Sequence, residues 1–307
     1  MSNKPGIVFM GTPDFAAQSL SRLYDDGFHI TGVFTQPDKP RGRGNLVTQS
    51  PVKIMAAGHD TPVFQPDSMN SGEAAAALSG LSCDLIAVVA YGKLLPRAIL
   101  NVPSFGCINI HGSLLPKYRG AAPVQWAVLN GETETGVTSI YMSDKLDQGD
   151  IIMSRKTKIG EDETAQELYN RLGGLGAGLL SETISAALSG DAVGVPQNDL
   201  DATYAPALSK DMSKIDWTRT AYEVKCKVRG LTPWPVACAT LRDTQLKIFS
   251  VVISKNKPGK EPGDIITADK NGIEVACSDG TVIIKELQAP GGKRMLASDY
   301  LRGHPLS

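Results

Sequence analysis

Short apolar runs alternate with helical patterns through the first two thirds of the chain, and this alternation constrains the fold more than any other feature. Residues 7–10 and 85–89 are continuously apolar, which is typical of parallel strands covered by helices on both faces. A further strand is predicted at 30–34, after a helical pattern at 16–23. Alternating strands and helices predict a doubly wound α/β domain with a mostly parallel, Rossmann-like sheet.

The same domain continues to about residue 188. Further strands are predicted at 106–111, 137–142 and 151–158. A helix is predicted at 123–129, with its proline in the tolerated first turn. A long helical pattern at 164–188 contains four glycines. We therefore assign residues 1–188 to the α/β domain.

The rest of the chain has a different pattern. Residues 189–207 are polar and irregular, and they contain Pro196 and Pro206, which predicts a linker. After a predicted helix at 221–231, short strands separated by turns predict a small β-barrel of the oligonucleotide-binding type over residues 208–307. These strands are predicted at 237–241, 246–252, 263–267, 273–276 and 282–287.

The charge is unevenly distributed, although the formal net charge is only −1. Residues 207–307 contain 16 lysines and arginines and 11 aspartates and glutamates, an excess of five positive charges. A basic C-terminal third indicates an anionic partner such as nucleic acid. A solvated charged surface without a partner is the alternative.

The cysteines and the apolar segments indicate the compartment. Five cysteines without CxxC spacing argue against a zinc site and a disulfide framework, and we expect a reducing environment and no bound metal. Cys107 is predicted to fill the core. The N-terminus lacks a signal-peptide pattern, and no apolar run reaches 18 residues. We predict a cytoplasmic, monomeric protein with no membrane partner.

One predicted strand contains a pair of polar residues. Asn109 and His111 alternate with Ile108 and Ile110, so both polar side chains lie on one face, about 6.5–7 Å apart. Histidine suits acid–base and oxyanion chemistry near neutral pH, which indicates acyl transfer to an amine. A histidine that only satisfies a backbone group is the alternative. Asp147, in an ordinary Asp-Gln-Gly turn, is a weaker candidate.

Two other segments have distinctive composition. Residues 35–44 contain two prolines, two glycines and the cations Lys39, Arg41 and Arg43, which predicts a mobile basic loop at a strand end, where ligands bind. A surface loop without function is the alternative. Arg119 is predicted to be a structural fork to a carboxylate. The segment after the first strand lacks GxGxxG spacing, and no phosphate-loop motif is present, so neither a dinucleotide nor ATP is expected.

The motif Asn109-x-His111-x-Ser113-Leu114-Leu115-Pro116-x-Tyr118-Arg119-Gly120, with Asp147 further on, resembles the 10-formyltetrahydrofolate-dependent formyltransferases. Residues 11–16, 35–38 and 120–125 are similar to the members that act on methionyl-tRNA. The resemblance implies that Asn109, His111 and Asp147 are catalytic. It also implies a folate site formed by Ser113, Leu114, Leu115, Pro116, Val88, Ala90, Tyr91 and Gly92.

The resemblance also implies the substrates. It implies 10-formyltetrahydrofolate as a co-substrate, no permanently bound cofactor, and initiator methionyl-tRNA as the acceptor. Lys39, Arg41 and Arg43 would bind the tRNA, with the loop entering its acceptor stem. This chain has Asn45-Leu46 where lysines are expected in related enzymes. We therefore expect a weaker phosphate grip in the loop and a larger share for the basic C-terminal domain.

The residues predict how such a transfer proceeds. The Asn109 amide and the His111 ring N–H are donors for the oxyanion of the tetrahedral intermediate, and Asp147 accepts a hydrogen bond from His111 or a water. The group that takes the amine proton stays open. Alternatives are a formyltransferase for a sugar-nucleotide amine, a folate-dependent hydrolase, and an inert tRNA-binding module. The complete set of three polar residues argues against the inert module.

Overall fold

The computed structural model describes residues 4–41, 46–254, 256–257 and 259–305. The chain divides into two compact units. The first contains Met1–Gly120, Thr135–Thr157 and Tyr169–Tyr204, and the second contains Ala121–Glu134, Lys158–Leu168 and Ala205–Ser307.

The described residues form strands and helices in the following chain order. The strands are β1 (Gly6–Gly11), β2 (His29–Phe34), β3 (Lys39–Arg41), β4 (Leu46–Thr48), β5 (Val63–Phe64), β6 (Leu85–Val89), β7 (Cys107–His111), β8 (Glu134–Tyr141), β9 (Ile151–Lys158), β10 (Ala237–Leu241), β11 (Thr244–Ser254), β12 (Ile265–Asp269), β13 (Gly272–Ala276), β14 (Thr281–Gln288) and β15 (Met295–Leu296). The α-helices are α1 (Asp14–Asp25), α2 (Pro51–Gly58), α3 (Gly72–Ser79), α4 (Arg97–Leu100), α5 (Pro123–Leu129), α6 (Ala165–Ser189), α7 (Ala221–Gly230) and α8 (Ala297–Gly303). Two 3₁₀ helices span Asp199–Asp201 and Lys210–Ser213.

The first unit is built on a seven-stranded sheet with the order β5-β2-β1-β6-β7-β8-β9. The pairs from β5 to β7 are parallel, and β8 runs antiparallel to β7. Every residue of β1 and β6 is buried, as expected for central parallel strands. The mostly parallel α/β sheet predicted from the sequence is therefore confirmed.

Helix α6 approaches the apolar face of β7 at Ile110. It continues without a break through its four glycines. A Cβ at Gly176 would lie 3.0 Å from Cγ2 of Ile110, so the glycine lets this helix approach the strand closely. Ile108 and Ile110 are both buried. The apolar side chains of β7 thus anchor the strand and leave its other face for Asn109 and His111.

The second unit contains an antiparallel sheet with the order β10-β11-β14-β13-β12, and β15 pairs with β14. Its core includes side chains from the sheet and from α7. Helix α7 begins with a capping box, in which Thr220 accepts from Glu223 N and the Glu223 carboxylate accepts from Thr220 N. The prediction for this part of the chain was a small β-barrel, and an antiparallel β domain after the α/β domain, consistent with such a barrel, is confirmed.

Two segments without predicted secondary structure contain local pairing. In the basic loop, Lys39–Arg41 pairs with Leu46–Thr48 as the antiparallel hairpin β3–β4. In the predicted linker, Val195 forms a β-bridge with Ile151, and Tyr204 forms one with Arg119. Among the described residues, no helix is long and apolar enough to cross a membrane.

Candidate active site

Strand β7 places Asn109 and His111 at the end of the sheet of the first unit. Asn109 is in register with Val88 of the parallel strand β6, and His111 is in register with Thr138 of the antiparallel strand β8. Because His111 is the last residue of β7, both polar residues lie at the carboxyl end of the parallel strands. Open α/β sheets bind their ligands at this end.

His111 is oriented by a backbone carbonyl. Its Nε2 atom lies 2.8 Å from the carbonyl oxygen of Tyr118, and its side chain is 6% exposed. A carbonyl oxygen only accepts hydrogen bonds, so Nε2 carries the proton and donates it. Tyr118 has a φ of 61°, a left-handed conformation that is uncommon for a side chain of its size. The second ring nitrogen, Nδ1, lies 3.6 Å from Oδ2 of Asp147.

Asp147 is held in a tight turn between β8 and β9. Its φ is 53°, and its Oδ2 atom accepts a hydrogen bond of 2.8 Å from the backbone N–H of Gly120. The turn depends on Gly149, since a Cβ there would lie 1.6 Å from the carbonyl oxygen of Tyr141. The fold therefore brings Asp147 to His111, across 36 residues of sequence.

Asn109 differs from His111 in its surroundings. It is half-buried, and its side-chain amide makes no hydrogen bond to another described residue. An amide nitrogen carries two N–H donors. Asn109 thus offers free donors at the strand end, whereas the Nε2–H of His111 is already bonded to Tyr118. This arrangement differs from the prediction that both residues donate to one oxyanion.

Two of the residues predicted to bind folate build the turn after β7. Ser113 is fully buried, and its Oγ atom donates to the carbonyl oxygen of Lys117 at 2.6 Å. Thr138 Oγ1 donates to the carbonyl oxygen of Ser113 at 2.7 Å and accepts from the backbone N–H of Leu115 at 3.2 Å. Leu114 and Pro116 are half-buried. Folate binding by these four residues stays a prediction.

The second predicted folate segment follows β6. Val88 and Tyr91 are buried among apolar side chains, and the Tyr91 hydroxyl donates to Sδ of Met69 at 3.2 Å. Burial raises the pKa of Tyr91 to about 12, so its hydroxyl keeps its proton. Ala90 and Gly92 are exposed and have φ values of 44° and 78°. Their backbone is therefore the accessible part of this segment.

The base of hairpin β3–β4 is fixed by three side chains. Asp38 accepts from Lys53 Nζ at 2.6 Å and from Gln65 Nε2 at 2.8 Å, and Lys53 also donates to Gln65 Oε1. The Lys53 ammonium hydrogen bond keeps the pKa of Asp38 below its ordinary value. Lys39 is exposed on β3. Arg43 and the Arg41 side chain lie outside the described residues.

Arg119 is the structural fork that the sequence predicts. It is 2% exposed, and its Nη2 atom lies 2.8 Å from Oδ1 of Asp199. Its Nε and Nη2 atoms also donate to Oε1 of Gln197. Gln197 itself donates to the carbonyl oxygens of Asp147 and Gly149, a role that the sequence did not indicate because its segment has no periodic pattern.

Cys107, in the same strand as Asn109 and His111, belongs to the core. Burial raises the pKa of Cys107 to about 12, and the residue is 3% exposed, which confirms its predicted place in the core. Among the described residues, no group of three histidine, cysteine, aspartate or glutamate side chains is arranged to hold a metal ion.

The fold and this site define a group-transfer enzyme, and comparison with known families identifies the chemical group that is transferred. Residues 6–184 match the formyl transferase family, and residues 207–305 match the formyl transferase C-terminal domain. A methionyl-tRNA formyltransferase of Citrifermentans bemidjiense is 46% identical over 98% of this chain and 94% of that protein. One from Clostridioides difficile is 43% identical over 98% of this chain and 97% of that protein. The chain belongs to the methionyl-tRNA formyltransferase family.

Solved structures share the fold at lower identity. An N-formyltransferase from Helicobacter canadensis, in complex with folinic acid and dTDP-3-aminofucose, is 18% identical with a TM-score of 0.67, over 94% of this chain and 99% of that one. HypX from Aquifex aeolicus, in complex with tetrahydrofolic acid, is 17% identical with a TM-score of 0.65, over 96% of this chain and 46% of that one.

Proposed function

We propose that this chain transfers the formyl group of 10-formyltetrahydrofolate to the α-amine of initiator methionyl-tRNA, giving N-formylmethionyl-tRNA for translation initiation. The observation that carries the proposal is the arrangement at the end of β7. Nδ1 of His111 and Oδ2 of Asp147 are separated by 3.6 Å, and on the same face of β7 Asn109 has a side-chain amide that bonds to no other described residue. Membership of the family supplies the reaction that this arrangement serves.

The first step is attack of the amine nitrogen on the formyl carbon. A bond forms between them, and the electron pair of the carbonyl moves to the former formyl oxygen. The side-chain N–H groups of Asn109, which bond to no other described residue, can donate to this oxyanion. Donors that are already in place stabilise developing charge without reorganisation, which is the largest single contribution in many acyl transfers.

The proton of the attacking amine goes to the His111–Asp147 pair. Because Nε2 donates to Tyr118, a neutral ring presents the lone pair of Nδ1 toward the carboxylate. A donor that approaches both acceptors from one side can give its proton to the pair, and the amine of methionyl-tRNA is such a donor. Collapse of the intermediate then breaks the bond between the formyl carbon and N10, and the proton passes to N10 of the leaving tetrahydrofolate.

The folate is bound beside this pair. We assign its binding to the turn from Ser113 to Pro116 and to the segment of Val88, Ala90, Tyr91 and Gly92. The exposed backbone of Ala90 and Gly92 offers N–H and C=O groups to a heterocycle. The buried Ser113 and Tyr91 side chains act by holding these segments in place.

The acceptor RNA is bound by positive charge. We assign phosphate contacts to Lys39, Arg41 and Arg43 of the basic loop. The excess of five positive charges in residues 207–307 supports additional phosphate contacts by the second unit. In this proposal the enzyme acts as a monomer in the cytoplasm, where aminoacylated tRNA is formed.

One experiment tests the function directly. The purified protein is incubated with 10-formyltetrahydrofolate that carries a labelled formyl group, once with methionyl-tRNA and once with a dTDP-amino sugar. We expect label in acid-precipitable methionyl-tRNA and none in the sugar. Label only in the sugar would assign the chain to sugar modification, and release of labelled formate without an acceptor would assign it to folate hydrolysis.

A further inference from the structure

Residues 195–204, which follow helix α6, connect the two loops that hold His111 and Asp147. At one end Val195 forms its β-bridge with Ile151, four residues after Asp147. At the other end Thr203 accepts from the backbone N–H of Arg119 at 2.8 Å through its carbonyl oxygen. Thr203 Oγ1 also accepts from the backbone N–H of Tyr118 at 2.9 Å. The segment is therefore attached to both loops.

Gln197 is the residue of this segment that reaches the Asp147 turn. It is half-buried, whereas its neighbours Pro196 and Asn198 are exposed. Its Nε2 atom donates to the carbonyl oxygens of Asp147 at 2.8 Å and of Gly149 at 2.7 Å. Its Oε1 atom accepts from Nε and Nη2 of Arg119 at 3.1 and 2.8 Å. Both donors and both lone pairs of the amide are thus used.

These partners determine the orientation of the amide. The guanidinium of Arg119 only donates, so the amide oxygen must face it, and the NH2 group then faces the two carbonyl oxygens. Arg119 is itself fixed by burial and by Asp199. Asp147 has a φ of 53°, a conformation that costs free energy and persists only where its surroundings hold it.

We propose that Gln197 is a positioning residue for Asp147. Through its two hydrogen bonds to the turn, it keeps the Asp147 carboxylate within reach of Nδ1 of His111. The inference rests on the proposed function, in which this pair takes the amine proton. Without Gln197 the turn loses two hydrogen bonds, and a shift of about 1 Å in a reacting group is enough to cost about 100-fold in rate.

Two substitutions separate positioning from general stability. Gln197→Ala removes all four hydrogen bonds. Gln197→Glu keeps the size of the side chain and an acceptor for Arg119, but it places an oxygen against two carbonyl oxygens. The matched control is Asn198→Ala, which removes an amide whose partners among the described residues, Leu200 N and Asp201, lie within its own turn.

The first measurement is steady-state kinetics with both substrates. We expect kcat to fall about 10–100-fold in both Gln197 variants, with KM values within about threefold of wild type, because positioning acts on the transition state. Asn198→Ala should retain the wild-type kcat. A folded Gln197→Ala protein with kcat within twofold of wild type would overturn the proposal, as would a rise in KM at unchanged kcat.

The second measurement does not depend on activity. The backbone N–H of Gly120 donates to Oδ2 of Asp147, so its NMR chemical shift and hydrogen-exchange rate report the position of the carboxylate. We expect both to change in Gln197→Glu and to stay unchanged in Asn198→Ala. An unchanged Gly120 amide in Gln197→Glu would refute positioning. If the wild-type protein formylates no methionyl-tRNA, the proposed function fails. The backbone N–H of Gly120 still shows in that case whether Gln197 positions Asp147.

Discussion

Nδ1 of His111 and Oδ2 of Asp147 lie 3.6 Å apart, beyond direct hydrogen-bond distance, at the carboxyl end of a buried parallel strand pair. The opposite ring nitrogen donates to Tyr118, so the ring cannot turn to offer Nε2 without losing that bond. A donor that approaches from one side can therefore contact both atoms, and the negative charge of Asp147 should matter for its binding.

Asp147→Asn should lower turnover by about 10²–10⁴-fold, the usual contribution of a general acid or base. The asparagine keeps an oxygen that accepts from Gly120 N, so the turn is retained while the negative charge is lost. Initial rates at saturating substrates measure the effect. Asp144→Asn is the control, since Asp144 forms an exposed ion pair with Arg97, and such pairs contribute little. Equal activity of the two variants would remove Asp147 from the proton path.

Asn109→Ala should lower turnover by about 10²–10³-fold with little change in the affinity for tRNA, because it removes one oxyanion donor. The amide bonds to no other described side chain or backbone group, so its loss leaves no partner unsatisfied. Single-turnover rates and tRNA binding, measured separately, distinguish the two effects. The exposed Asn101 provides the control substitution. A rate within a few fold of wild type would exclude the oxyanion role.

Arg43→Ala should raise the KM for methionyl-tRNA and flatten its salt dependence. Each phosphate contact that is lost lowers the slope of log affinity against log salt by about one, since fewer counterions are released. The prediction rests on the sequence, because Arg43 lies outside the described residues. Binding titrations from low to high salt measure the slope. Arg22→Ala on helix α1, where Arg22 pairs with Asp26, is the control and should leave the slope unchanged.

Two glycine substitutions should change stability in opposite directions. Gly149→Ala places a Cβ against the carbonyl oxygen of Tyr141 and should destabilise the fold by about 1–3 kcal/mol or more, as overpacking does. Gly178→Ala in helix α6 meets no atom within 4 Å and should stabilise the fold by about 0.5–1 kcal/mol. Denaturant titration measures both. A Gly149→Ala protein as stable as wild type would contradict the geometry of the Asp147 turn.

Glu274 should make the stability of the second unit depend on acid pH. Burial alone raises the pKa of its carboxyl group, but hydrogen bonds from Thr281 and Asn256 outweigh burial and lower the pKa below the ordinary 4.5. The stabilisation is therefore fully present above pH 4.5 and is lost as the pH falls through the folded-state pKa.

The variant Glu274→Gln cannot titrate, so its free energy of unfolding should decrease less than that of wild type as the medium is acidified. The difference between the two proteins should be largest near neutral pH and shrink below pH 4.5. Glu73→Gln, at an exposed position on helix α3, is the control and should follow the wild-type curve. Parallel curves for wild type and Glu274→Gln would contradict the linkage.

Much of the fold could be predicted from local patterns. The strands Leu85–Val89, Ile151–Lys158 and Ala237–Leu241 and the helix Pro123–Leu129 have the predicted bounds. Their patterns of apolar residues and their flanking turn residues are local, so they are visible in the sequence. The long helix α6 was also predicted, although the reason for Gly176 appears only in the close approach of the helix to Ile110.

Other elements were not visible locally. Strand β3 lies in a segment rich in proline and glycine, whose composition predicts a loop. Its pairing depends on the partner strand Leu46–Thr48, which the local pattern of β3 does not indicate. The 195–204 segment has the composition of a linker, yet Gln197 and Thr203 bond to loops about 50 and 85 residues earlier in the chain. No periodicity marks a segment whose role is to bond to distant loops.

The sequence by itself determined the two-part fold, the placement of Asn109 and His111 on one face of a strand, and the family to which that motif belongs. These features depend on residue spacing, and side-chain direction follows spacing in a strand. Only the tertiary structure decided what each polar atom faces: Tyr118 for Nε2 of His111, Asp147 for Nδ1, and Gln197 for the Asp147 turn. Such partners come from distant parts of the chain, and packing alone brings them within hydrogen-bond distance.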